Sequence, residues 1–78
     1  MHAKRQILSR VREEKGFSAL DLAISANCAV ETVVRMEMGL SIPTEDSERV
    51  RLAASYGLEP KVFLRLALDA ADRRERSA

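Results

Sequence analysis

Ser18 and Asp21 set a hydroxyl and a carboxylate three positions apart, types that could cooperate in nucleophilic chemistry. An activated hydroxyl needs a base within reach, and the one imidazole of the chain is His2, far from Ser18 in sequence. The same spacing suits a helix start better: the hydroxyl accepts from a backbone N–H and the acid reaches back in an acidic variant of the capping box. Glu13 and Glu14 are adjacent, so on a helix they diverge and share no acid/base step. Cys28 is the sole cysteine. It allows no intramolecular disulfide framework, and with one His it completes none of the usual metal-ligand sets. No catalytic, metal or cofactor-binding residues are therefore expected. What remains is noncovalent recognition, and its most promising polar groups, Glu31, Thr32 and Arg35, lie in the run AVETVVRMEMG at 29–39.

The elements that position those groups follow from punctuation. Apolar Ile7, Leu8 and Val11 recur at helical spacing over 4–15, with Gly16 as a stop. Ser18 opens a second helix, about 18–25, that turns Leu22 and Ala23 inward. Ala26-Asn27-Cys28 forms a tight turn, with Asn27 where a left-handed residue is tolerated. The third helix spans about 30–38 and Gly39 ends it. Thr44 after Pro43 is the expected N-cap of a fourth helix, with Glu45 and Asp46 against its positive end. That helix carries Val50, Leu52, Ala53 and Tyr56 to Gly57. Pro60 suits the first turn of a fifth, running through Val62, Phe63, Leu66 and Ala67 to about Ala71. The expected fold is all-α with five helices in one domain over 1–72, followed by a charged tail, 73–78, that frays. Ile7, Val11, Phe17, Leu22, Val33, Met36, Leu52 and Phe63 are the expected core. Cys28 belongs with the packing residues, and Tyr56 is expected to keep its hydroxyl at the rim.

The net charge of +1 conceals an uneven distribution. Residues 16–48 hold Arg35 alone against Asp21, Glu31, Glu37, Glu45, Asp46 and Glu48, a balance of −5, while the segments on either side each carry +3. Hydrophobic content of 46% is too high for a disordered chain, and no apolar run approaches the length of a membrane span, so a cytoplasmic protein without membrane association is expected.

Two short helices joined by a tight turn describe a helix-turn-helix. VREEKGFS at 11–18, LDLA at 20–23, TVVRMEMG at 32–39 and RLAASYGL at 51–58 closely resemble the Cro and phage-repressor (XRE-type) family, over roughly residues 5–68. The resemblance implies a lambda-repressor-like domain whose third helix is the recognition helix. It also implies a structural ion pair, with Arg12 and Glu37 at the matching positions.

At about 100° per residue, Val33, Met36 and Glu37 share one side of the third helix, which must face the core. Val30, Glu31, Val34, Arg35 and Met38 fan over the adjacent, outward side. In the family that outward side enters the major groove of operator DNA. Arg35 could there read guanine, with Glu31, Val30 and Thr32 as secondary contacts. Ser18 and Ala19 at the start of the second helix complete the candidate DNA-binding set, and Lys4, Arg5 and Arg10 could flank the duplex. The resemblance thus implies a small transcriptional regulator that binds double-stranded DNA as a homodimer.

The residues themselves also suit a different role. Ala19 stands where the family often has Gln, the middle of the chain is acidic, and phosphate contacts supply most non-specific DNA affinity. Val30, Val34, Met38, Leu40 and Ile42 would form an apolar patch of the kind that meets a protein partner. The alternative is a helix-turn-helix turned protein-binding module, an antiactivator or regulatory adaptor. Leu64, Leu68 and Ala71, at i, i+4 and i+7 on the last helix, form a second apolar stripe expected to pair with its own copy.

Overall fold

Gly16, Asn27, Gly39 and Gly57 adopt positive φ, and each closes a helix. In each case the next residue donates its N–H back to a carbonyl five positions earlier. Phe17 reaches Arg12 at 3.2 Å, Cys28 reaches Ala23 at 3.0 Å, Leu40 reaches Arg35 at 2.8 Å and Leu58 reaches Ala53 at 2.9 Å. This closure satisfies carbonyls that a helix end would otherwise leave orphaned. The computed structural model describes residues 7–77, with side chains through residue 75, and its elements are α1 (Ile7–Glu14), α2 (Ala19–Ala26), α3 (Val30–Glu37), α4 (Asp46–Tyr56) and α5 (Pro60–Ser77). No strand occurs among the described residues, and none of their helices is long and apolar enough to cross a membrane.

One hydrophobic core joins all five helices. Leu8 enters it from α1, Leu22, Ala23 and Ala26 from α2, and Val33 and Met36 from α3. Leu52, Ala53 and Tyr56 enter from α4 and Phe63 and Ala67 from α5, with the Tyr56 and Phe63 rings stacked at 5.7 Å. Ser18 begins α2 with a reciprocal capping box: its hydroxyl accepts from the Asp21 N–H and the Asp21 carboxylate from the Ser18 N–H, both at 3.0 Å. The far end of α2 is tied to α4, where Arg51 Nε donates to the Ala26 carbonyl at 2.9 Å and the Ser25 and Ser55 hydroxyls meet at 2.9 Å. A cation on the last carbonyls of a helix also suits its dipole.

Several expectations need correction. Phe17 is exposed: its N–H and carbonyl are both held at the α1–α2 turn by Arg12, which leaves the ring at the surface. Leu8, rather than the half-buried Ile7, takes the core position of α1, because the side of α1 that carries Arg12 faces α3. The Tyr56 hydroxyl points into the molecule, not to the rim. Thr44 does not cap α4. Glu45 is the N-cap residue, without a side-chain cap bond, and the preceding loop is held instead by Arg49 Nε donating to the Pro43 carbonyl at 2.8 Å. Val62 is exposed, since Phe63 and Ala67 set the inward face of α5. α5 runs past its expected end near Ala71 to Ser77. Lys4 and Arg5, with the expected first turn of the first helix, lie outside the described residues.

Candidate interface on the third helix

α3 is held in orientation by a single buried carboxylate. Glu37 Oε1 accepts from the Ser9 hydroxyl at 2.8 Å and from Arg12 Nη2 at 3.0 Å. Glu37 Oε2 accepts from Arg12 Nε at 2.9 Å and from the Tyr56 hydroxyl at 2.6 Å. The remaining guanidinium edge, Arg12 Nη1, donates to the Phe17 carbonyl at 2.9 Å. One acid on α3 thereby fastens α1, α4 and the α1–α2 turn. Arg12 is the only cation in this group, and its fork meets the carboxylate through two parallel bonds, the strong geometry for such a pair.

The electrostatics follow from that geometry. Burial pushes the Glu37 carboxyl upward, but the hydrogen bonds from Arg12, Tyr56 and Ser9 and the charge of Arg12 outweigh it, and the group ends below the ordinary carboxylate range. Hydrogen bonding to Glu37 raises Arg12 against its own desolvation. Tyr56 is pushed far above an ordinary phenol, first by burial and then by donating to Glu37, so it stays protonated. Cys28, half-buried at the α2–α3 turn, is raised by burial and by Glu48, partly offset by Arg51, which marks it as a packing thiol rather than a reactive one.

With Val33, Met36 and Glu37 buried, the adjacent, outward side of α3 is exposed. It carries Val30, Val34 and Met38 beside Glu31 and Arg35, and Leu40 follows directly in the next loop. The four apolar side chains keep between 38% and 42% of their surface exposed, too much for core packing. Thr32 and Ile42 are half-buried at the edges of this face. Ser18 is exposed but already engaged in the capping box, and Ala19 is half-buried against the core, which leaves α2 little to offer a ligand from these two positions. Arg10 is exposed on α1.

Two features of this region escaped the sequence reading. Ser9 and Tyr56 complete the Glu37 cluster. Ser9 lies three residues before Arg12 on the same helical face, and a buried tyrosine usually finds a partner for its hydroxyl, so both signals were present. The end of α5 also borders the face: a side chain built on Gly39 would collide with the Ala70 carbonyl and approach the Arg74 β-carbon at 3.1 Å. No group of three or more His, Cys, Asp or Glu among the described residues could hold a metal ion. No family model matches the chain, and neither curated proteins nor solved structures give a significant match.

Proposed function

We propose that the chain is a helix-turn-helix module that docks on another protein through the outward face of α3, as an antiactivator or regulatory adaptor. The observation that carries this reading is the row Val30, Val34, Met38 and Leu40, exposed together along α3 and just after it. Exposed Glu31, Glu45 and Asp46 lie on α3 and at the start of α4. An apolar row within an acidic stretch of chain fits a partner surface that is apolar with basic groups beside it. DNA-binding proteins carry basic faces, and covering such a face is how an antiactivator would work. Binding, rather than catalysis, is the activity proposed.

Arg35 supports a second reading, that of a regulator reading operator DNA as a homodimer. Its side chain is exposed on the same face, where a guanidinium could address a guanine edge, with Val30, Glu31 and Thr32 beside it. The acidic charge of residues 16–48 weighs against this. Affinity for duplex DNA, measured across salt concentration, separates the two. The docking reading expects no salt-dependent retention even at low salt, and a steep slope would replace it with the DNA reading. A photo-crosslinker at Val34 in the native cells should then trap a discrete protein. That product should be lost with Met38→Glu and kept with Arg35→Ala.

A further inference from the structure

The inward line of α5 continues past the core that it serves. Phe63, Ala67, Ala70 and Arg74 fall within about 60° of one another on a helical projection. Phe63 and Ala67 are buried, Ala70 is half-buried, and Arg74, one turn further, is exposed beyond the edge of the core. There the line passes the α3–α4 loop. A β-carbon on Gly39 would collide with the Ala70 carbonyl and stand 3.1 Å from the Arg74 β-carbon. Gly39 separates Met38 from Leu40, the last two members of the exposed apolar row. The Leu40 N–H donates to the Arg35 carbonyl at 2.8 Å, which folds Leu40 back beside the last turn of α3. An arginine on the inward line of α5 thus stands at the end of the row. Its guanidinium makes no hydrogen bond or ion pair with another described residue.

Resting on the docking reading of α3, we infer that the surface extends across Gly39 onto the last turns of α5, where Arg74 seats a carboxylate of a helical partner segment. Val30, Val34 and Met38 repeat every four residues, a ridge that fits the groove between ridges on another helix. From Val30 to Met38 that ridge rises about 12 Å, and a helix laid along it reaches the Arg74 side of Gly39 at one end. Arginine suits this place because its planar fork takes a carboxylate through two parallel bonds. A charge at one end of an apolar row also fixes which way the partner lies, which the apolar contacts alone do not. Arg74 is thereby a specificity-determining residue, and the partner carries an acid at one end of its apolar stripe.

A photo-crosslinker at Val34 of the whole chain, used in its native cells, tests the seat. Arg74→Glu should lower the yield of the trapped protein roughly tenfold by opposing its carboxylate, whereas Arg74→Lys should keep most of it. Arg65→Glu is the control. Arg65 is exposed on the other side of α5, about 200° around from Phe63, and its loss should leave the yield unchanged. Helical circular dichroism should match the wild type in all three variants, since neither arginine enters the core. The crosslinked peptide, sequenced by mass spectrometry, should carry an apolar stripe at helical spacing with an aspartate or glutamate at one end. Lysine in place of that acid should restore capture by Arg74→Glu. A yield that Arg74→Glu lowers no more than Arg65→Glu does overturns the seat and leaves the docking reading standing. No product from the wild type overturns the docking reading, and the seat falls with it. A salt-dependent affinity for duplex DNA that Arg74→Glu abolishes would assign Arg74 to a phosphate and equally overturn the carboxylate seat.

Discussion

Glu37 answers how a chain of this size can place a carboxylate in its core. Both oxygens accept two hydrogen bonds, and Arg12 supplies the compensating charge. Stranding such an acid is expensive: loss of one partner of a buried pair costs roughly 3–5 kcal/mol. Arg12→Ala should therefore lower the melting temperature far more than Arg10→Ala, whose side chain is exposed. Equal shifts would show that the pair contributes no more than a solvated surface charge. The pH dependence follows in sign from the same contacts. Because the Glu37 carboxyl is lowered in the folded state, its contribution is fully present above the ordinary glutamate range and is lost as pH falls through its folded value. Tyr56 is raised, so its contribution holds below about pH 10 and declines above it. Thermal melts of the wild type should weaken in acid, and Glu37→Gln, less stable at neutral pH, should show a shallower acid decline. Arg12 and Glu37 were legible because a family resemblance named their positions. Ser9 and Tyr56 left only local hints, a shared helical face and a hydroxyl in need of a partner, because that partner is 28 and 19 residues away and only the fold brings them together.

The helices were legible where local chemistry decides them. Gly16, Asn27, Gly39 and Gly57 stop helices because they tolerate positive φ, and Ser18 starts one by capping; both signals act within a few residues. Tertiary contacts decided the rest. Thr44 has the right side chain for a cap, yet the loop is fixed by Arg49 on the Pro43 carbonyl and α4 starts one residue later than that cap would set. α5 outlasts its apolar pattern as its last turns lie against the α3–α4 loop at Gly39. Gly39 carries two demands at once, a φ of +80° and the close approach of the Ala70 carbonyl. Gly39→Ala must both enter a strained backbone region and push α5 away. It should destabilise the chain by more than the about 1 kcal/mol that left-handed strain alone costs. Gly16→Ala provides the comparison, because nothing lies within 4 Å of a side chain there. Urea unfolding of the two variants measures the difference. Similar losses would mean that α5 yields freely and does not brace α3.

At the scale of the whole molecule, the exposed apolar side chains of the α3 face stand among charges, Glu31 and Arg35. The candidate interface was largely legible from sequence, because helical periodicity and the buried positions Val33 and Met36 fix which side of α3 turns outward. The exposed pair Leu20 and Ile24 on α2 was not singled out, although the two lie one turn apart and opposite the buried Leu22, Ala23 and Ala26. The acidic segment gives the last prediction. If charge is what would keep DNA from the α3 face under the docking proposal, reversing it should confer duplex binding. Glu31, Glu45 and Asp46 are exposed and none enters the core, so Glu31→Lys with Glu45→Lys and Asp46→Lys should fold. Three reversals change the charge of residues 16–48 by six units, from −5 to +1. Duplex affinity depends on released counterions, so a segment gaining three cations should acquire weak binding that falls steeply with added salt. The same lysines should repel the basic rim of the proposed partner and abolish its crosslink at Val34. Fluorescence anisotropy of a labelled duplex across a salt series tests the first half. A triple variant that remains blind to DNA would locate the obstacle in the shape of the α3 face rather than in its charge.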